Sequence, residues 1–141
     1  MAFVDDDKVA QLVRGALLAS TALTAKVGNR VVGGFVRDTD LATLPKPSIA
    51  IVLSNGHAHY SASFASFALE VWALSALSEG EARALYALAF AALQGGQLAV
   101  TGVDHRGTCW ESSRPIPGWH DATGSWTVMG RWVVQVANVG G

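Results

Sequence analysis

The chain has 141 residues, of which 50% are hydrophobic and only 15% are charged, and its net charge is −1. A chain of this length can bury one continuous core, so we expect a single domain over residues 1–141. The charged fraction lies below the ~25% of typical soluble domains. This deficit indicates that neighbouring protein chains cover part of the surface. Lysines and arginines form no basic stripe, so sequence-specific nucleic-acid binding is not expected.

The sequence shows no sign of a membrane span, an export signal or an intrachain disulfide. No apolar run approaches the ~18 residues that a membrane span needs. The N-terminus, MAFVDDDKV, lacks a basic region followed by an apolar stretch. Cys109 is the only cysteine in the chain, so it has no partner for a disulfide. We therefore expect synthesis in the cytoplasm and no membrane partner.

The first elements predicted in chain order are helical. An acidic run, Asp5 to Asp7, precedes apolar residues with the spacing of an amphipathic helix: Val9, Leu12, Val13, Ala16 and Leu17. A second short helix is predicted over residues 20–27, with Gly28 as its stop. A short strand is expected over residues 30–35, and an exposed loop from Arg37 to Pro47 follows it.

The middle of the chain predicts three meandering strands. An apolar strand from Ile49 to Leu53 meets Ser54-Asn55-Gly56, and Asn-Gly is a strong signal for a tight hairpin turn. The chain is therefore expected to reverse at residues 54–56, to return over residues 57–64 and to form a third strand over residues 67–74.

The principal helix is predicted to begin at Ser78, where the apolar period changes from 2 to 3.6. Ser78 and Glu81 have the spacing of a capping box, in which both side chains accept backbone N–H groups at a helix start. We expect the helix to run to Leu93, before Gly95-Gly96. Its predicted core face is formed by Leu85, Leu88, Ala89, Ala92 and Leu93, with Tyr86 and Phe90 widening it.

The C-terminal third predicts two strands separated by a loop. A short strand is expected over residues 98–103, and glycines and prolines make the segment from Asp104 to Gly124 a predicted loop. Alternating apolar residues from Trp126 to Val136 predict a long, half-buried strand. The order of elements indicates an α+β fold, with an antiparallel-rich mixed sheet packed by two main helices.

Candidate chemistry in this sequence is sparse. His57-x-His59, with His105 or His120, could hold zinc or iron, but no spacing links the later histidines to the first pair. Cys109 with one of these histidines could form a thiol hydrolase, although a buried filler is the commoner role of a lone cysteine. We expect no catalytic residue, cofactor or metal. A small cytoplasmic thiol- or metal-dependent enzyme is the alternative from another class.

Two predicted loops carry the candidate interface residues. Trp110 and Trp119 lie in the second loop, and exposed aromatic side chains often anchor contacts between subunits. Arg37, Asp38 and Asp40 lie in the first loop, where charged groups are expected to give polar specificity at the rim of an interface. The other three tryptophans fall on predicted strands, where packing in the core is the commoner role.

Five segments, in this order and spacing, resemble the tail terminator or tail completion family of long-tailed bacteriophages and gene-transfer particles. They are LTAKVGNRV (Leu23 to Val31), LPKPSIAIVLS (Leu44 to Ser54), FALEVWALS (Phe67 to Ser75), EARALYALAFAAL (Glu81 to Leu93) and the strand from Trp126 to Val136.

The resemblance implies a small α+β subunit without catalytic residues or cofactors. Such a subunit forms a homo-hexameric ring that ends the tail tube and joins the tail to the head. Its implied partners are further copies of itself, the major tail tube protein and a head–tail connector or neck protein, with DNA passing through the ring lumen. The implied location is the head–tail interface of the virion, after assembly in the host cytoplasm. A head-closure or neck protein of the same connector is the alternative within this class.

Overall fold

The computed structural model describes residues 4–32, 46–58, 64–120 and 124–139. Within these residues, six strands form one mixed sheet and three helices pack on one of its faces. The helices are α1 (Asp6–Leu18), α2 (Thr21–Val27) and α3 (Glu79–Leu93). The strands are β1 (Val31–Val32), β2 (Ser48–Ala58), β3 (Phe64–Ser75), β4 (Gln97–Leu98), β5 (His105–His120) and β6 (Ser125–Asn138).

The strand order in the sheet is β1-β2-β3-β6-β5-β4. The β1–β2 pair is parallel, and every other pair is antiparallel. The predicted α+β class, with its antiparallel-rich mixed sheet, is therefore confirmed. Within the described residues no helix has the length and apolarity to cross a membrane.

The two N-terminal helices begin where their sequence signals predict. Asp5 caps α1 by accepting the backbone N–H of Asp7 (2.9 Å). Ser20 caps α2 by accepting the backbone N–H of Leu23 (3.2 Å). The apolar face of α1 is fully buried at Val9, Leu12, Val13 and Leu17. Side-chain caps satisfy N–H groups that have no partner inside the helix, so the first turn of each helix is fixed locally.

Helix α3 is capped by Ser78 as predicted, but the second half of the capping box takes another route. The Ser78 hydroxyl accepts the backbone N–H of Glu81 (3.1 Å). The Glu81 carboxylate accepts from the Ser75 hydroxyl (2.7 Å), and Ser75 Oγ accepts the N–H groups of Leu77 (3.0 Å) and Ser78 (3.2 Å). Ser75 is fully buried, so it joins the end of β3 to the start of α3.

The core face of α3 is narrower than the sequence predicts. Leu85, Tyr86, Ala89 and Leu93 are buried as expected, together with Ala82, whereas Phe90 is half-buried. Leu88 and Ala92 are only half-buried and pack at the margin of the core. The helix therefore presents a face centred on Leu85 and Ala89 to the sheet.

The predicted hairpin turn at Asn55-Gly56 is wrong. Strand β2 continues through these residues to Ala58 and pairs with β3 along its length, with a register shift between Ser54 and Gly56. A β-bulge absorbs an extra residue without reversing the chain. The predicted return over residues 57–64 is accordingly wrong at 57–58, whereas Phe64 begins β3, the strand that returns antiparallel to β2. Residues 59–63 lie outside the described part.

The predicted loop from Asp104 to Gly124 is also wrong, because most of it is strand β5. Strand β5 pairs with β6 from His105 to His120, with two register shifts near Ser113. Its other side meets β4 only at Gly107 and Thr108 among the described strands. A strand with one unpaired side tolerates proline, which offers no N–H to a partner, and this explains Pro115 and Pro117.

Two short strands are only partly as predicted. Of the strand expected over residues 30–35, the structure shows Val31–Val32, and residues 33–35 lie outside its described part. Of the strand expected over residues 98–103, only Leu98 belongs to β4. The chain then turns at Gly102, whose φ of 85° is positive.

Candidate interaction surfaces

A buried hydrogen-bonded chain fixes α3 on the sheet. The indole Nε1 of Trp132 donates to the Tyr86 hydroxyl (3.0 Å), and this hydroxyl donates to the Glu111 carboxylate. Burial, followed by the bond to Glu111, raises the pKa of Tyr86 above its ordinary value. A Cβ at Gly130 would lie 1.8 Å from the Tyr86 hydroxyl oxygen. Gly130 therefore provides the space that this hydroxyl occupies.

A groove opens beside this hydrogen-bonded chain, between α3 and the β5–β6 pair. We call it the α3 groove. It has a volume of ≈ 290 Å³ and is lined by Arg83, Tyr86, Ala87, Phe90, Glu111, Arg114, Pro115 and Val128. Arg83 Nη2 lies 2.9 Å from Glu79 Oε1, whereas Arg114 forms no ion pair with any residue that the structure describes. The groove lining is thus mostly apolar and carries two arginines and one glutamate.

The other face of the sheet carries no described helix, and we call its β3–β6–β5 part the open face. Strand register places side chains in rows across it. An apolar row of Trp72, Met129 and Ile116 is followed by a polar row of Glu70, Arg131 and Ser113, and then by a second apolar row of Ala68, Val133 and Trp110.

Among the large apolar side chains of the open face, exposure is greatest along β5. Ile116 is 63% exposed and Trp110 is 37% exposed. Trp72, Met129 and Val133 are half-buried. Nε of Arg131 lies 4.0 Å from the Glu70 carboxylate, so this ion pair is loose. Exposed apolar rows around one loose ion pair are typical of a surface that contacts another protein.

Large apolar side chains are also exposed at both ends of the sheet. Leu77 (76% exposed) and Trp119 (52%) lie at the end where β3 stops and β6 begins. Phe64 (36%) and Val139 (61%) lie at the opposite end. Strand β6 has 14 residues, so the two ends are roughly 45 Å apart at about 3.3 Å per residue.

Both candidate tryptophans are exposed, but they lie on opposite faces of β5. Trp110 pairs with Val133 on the open face. Trp119 pairs with Trp126 on the helical side, where the two rings meet edge to face with centroids 5.2 Å apart. The structure therefore does not bring the two tryptophans into one patch. Arg37, Asp38 and Asp40 lie outside the described residues.

Exposed apolar residues beyond the tryptophans were missed by sequence reasoning. Leu77 follows a strand that predicts burial, and Ile116 lies between two prolines in a segment predicted as loop. Prolines within a sheet are confined to edge strands, strand starts or bulges, so Pro115 and Pro117 are compatible with the exposed strand position of Ile116, although they do not predict it.

His105 has a structural role at the start of α1. The ring is 2% exposed, and its Nε2 accepts the backbone N–H of Asp5 (3.1 Å). Its Nδ1 lies 2.8 Å from the Asp104 carboxylate. A neutral ring that accepts at Nε2 carries its proton on Nδ1 and donates it to Asp104. This bond lowers the pKa of Asp104 below its ordinary value, and both ring nitrogens are used.

Cys109 is 1% exposed and is packed in the core. Its Sγ donates to the carbonyl oxygen of Leu93 (3.4 Å), and burial raises the pKa of its thiol to about 12. The thiolate is the reactive form of cysteine, so Cys109 is not prepared to act as a nucleophile at neutral pH. This burial favours the interpretation of Cys109 as packing.

The candidate metal ligands are not assembled in the described part of the chain. Within it, no three or more histidine, cysteine, aspartate or glutamate side chains form a group that could hold a metal ion. The side chains of His57, His59 and His120 lie outside what the structure describes. The backbone of His120 pairs with Ser125 at the end of β5.

These features define an α+β domain with helices on one face of its sheet and exposed apolar side chains on the other face and at both ends. A solved chain from the virion of a native gene transfer agent (GTA) particle has the same fold, with a TM-score of 0.58. The superposition covers 92% of this chain and 93% of that chain, at 19% sequence identity. No model of a protein family matches the sequence, and no curated protein matches it.

Proposed function

We propose that this protein is a virion structural subunit at the head–tail junction, and that it is a tail terminator. In this role it forms a homo-hexameric ring that ends the tail tube and binds the connector or neck of the head. The shared fold with a chain of the GTA virion particle, over nearly the whole length of both chains, supports a structural role in a virion. The order of sequence segments described above supports the terminator role in particular.

The observation that carries the proposal is the pair of exposed apolar ends. A junction subunit must bind different partners above and below itself. Leu77 and Trp119 at one end, and Phe64 and Val139 at the other, provide two separate surfaces along the strand direction. Large exposed apolar side chains are the usual anchors of protein contacts. The proposal assigns one end to the tail tube protein and the other to the neck.

The open face and the low charge of the chain support assembly into a ring. Only 15% of the residues are charged, and the exposed apolar side chains of the open face are stabilised when a neighbouring subunit excludes water from them. A ring of six copies would leave a lumen through which DNA passes. No catalytic residue, metal or cofactor is part of the proposed function.

The experiment compares joined particles made with wild-type protein and with Trp119→Ala, which removes an exposed anchor and leaves the core intact. We expect a folded subunit and a lysate in which heads and tails are present but separate, as seen by electron microscopy. Ala25→Ser, at an exposed position of α2, is the matched control and should give joined particles. The proposal is refuted if protein-deficient lysates still join heads to tails, because the protein then has no role at the junction.

A neck or head-closure role is the alternative that the same experiment distinguishes. Purified wild-type protein is added separately to isolated tails and to isolated filled heads, and sedimentation shows which particle it binds. We expect the protein to bind to tails and to stop further growth of the tail tube. Binding to heads alone would assign the protein to the neck.

A further inference from the structure

We propose that the open face of one copy binds the α3 groove of the next copy, and that this contact builds the ring. The inference rests on the proposed function, because it names the surfaces by which identical subunits of that ring meet. A contact between two different surfaces of the same chain is heterologous, and a heterologous contact generates a ring when its rotation closes and a filament when it does not.

The two surfaces match in shape. The α3 groove is a recess of ≈ 290 Å³, and the open face carries projecting side chains such as Ile116, which is 63% exposed. The three rows span Met129 to Val133 along β6, a length of roughly 13 Å at about 3.3 Å per residue. Helix α3 has 15 residues and is about 22 Å long at 1.5 Å per residue, so the rows fit within its length.

The apolar parts of the two surfaces also match. Ile116, at 63% exposure, projects from the open face at the end of its first apolar row. The α3 groove offers Ala87, Phe90 and Val128 as apolar lining. Transfer of an aliphatic side chain of the open face from water into such a groove is favourable in proportion to the apolar area buried.

The charges of the two surfaces are complementary. Arg114 lines the groove and has no ion-pair partner within the described part of the chain, whereas Arg83 forms an ion pair with Glu79. The open face carries Glu70, whose pair with Arg131 is long, at 4.0 Å. A guanidinium from the groove of a neighbouring copy can therefore approach Glu70 without displacing a close ion pair. Complementary charge of this kind sets the register of an interface.

The test uses two variants, one on each surface. Ile116→Glu places a carboxylate on the open face, and Ala87→Glu places one in the α3 groove. Both positions are exposed, so both variants should fold, which circular dichroism checks. We expect each variant alone to lose the ring and to sediment as a single chain of 14.7 kDa. Ala25→Glu, at an exposed alanine of α2 outside both surfaces, is the matched control and should form rings.

An equal mixture of the two variants provides the decisive measurement. The intact open face of one variant can bind the intact groove of the other, and the resulting pair has only damaged surfaces left. We therefore expect a 1:1 pair and no larger species. A mixture that stays monomeric, or an Ala87→Glu variant that assembles like wild type, would overturn the inference. The second result is the one expected if open faces pack against each other.

Failure of the inference differs from failure of the proposed function. Rings formed by wild type and by both variants would reject this contact and leave the junction role intact. Wild-type protein that stays monomeric, alone and with tail tube protein, would reject the ring itself and the contact with it.

Discussion

Gly130→Ala is expected to destabilise the protein by about 2–6 kcal/mol. A Cβ at this position would lie 1.8 Å from the Tyr86 hydroxyl oxygen and 2.5 Å from Cζ, so the ring must move. Overpacking of this kind costs about 1–3 kcal/mol. Displacement of the hydroxyl also weakens its bonds to Trp132 and Glu111, at about 0.5–1.5 kcal/mol for each bond.

Urea unfolding of four proteins measures this effect and its cause. They are the wild type, Gly130→Ala, Tyr86→Phe and the double variant. Since the hydroxyl oxygen makes the closest contact, Gly130→Ala should cost less when Tyr86 is already phenylalanine, with a coupling of at least about 0.5 kcal/mol. A Gly130→Ala protein within about 0.5 kcal/mol of wild type, the usual range for harmless surface changes, would refute the reasoning.

Three further predictions follow from buried polar groups. The pKa of Tyr86 is raised in the folded state, so the unfolded state loses the Tyr86 proton at a lower pH than the folded state does. Stability should therefore fall as the pH rises above about 10. In urea titrations at alkaline pH, Tyr86→Phe should reduce this fall. Ser75→Ala removes three hydrogen bonds and should lower the free energy of unfolding by about 2–3 kcal/mol. Ser78→Ala should lower it by about 1 kcal/mol. Equal losses of stability for the two variants in thermal unfolding would contradict the role of Ser75. His105→Ala removes the acceptor of the Asp5 N–H and should speed proteolysis near residue 5, whereas unchanged cleavage would show that α1 is held by its apolar face alone.

Helices were predictable here because their signals are local. Asp5, Ser20 and Ser78 each lie within three residues of the N–H group that they accept, and the apolar period of α1 follows from the geometry of a single helix. The hydrogen bonds of the Ser75 hydroxyl to Glu81, Leu77 and Ser78 were not predictable, because they depend on how β3 approaches α3. The same limit applies to the face of α3, where neighbouring helices decide that Leu88 is only half-buried.

The two errors in the strands share a physical cause. Asn55-Gly56 and the prolines of β5 are signals of turns when a segment is considered alone. In the folded chain, β3 pairs with β2 on both sides of the bulge, and β6 pairs with β5 past Pro117. Pairing over many residues outweighs a local preference for a turn, and sequence periodicity does not reveal which strand will be the partner.

Candidate surfaces were predictable only in part. The low charge of the chain indicated covered surfaces, and Trp110 and Trp119 are exposed as an interface role requires. Their separation on opposite faces of β5 depends on the two register shifts near Ser113, which no sequence pattern specifies. The open face likewise depends on the three described helices packing on the same side of the sheet.

The two prolines of β5 have a consequence for how copies of this chain can meet at high concentration. An exposed strand edge is a template on which further strands add, and such growth ends in fibres. Among the described strands, β6 alone pairs with β5 in the stretch from Pro115 to Pro117. The two prolines remove two backbone N–H groups from this stretch. A ladder of strands cannot grow through that stretch without losing hydrogen bonds. Copies that accumulate before assembly are thereby kept from polymerising edge to edge, and their side-chain surfaces remain the route by which they associate.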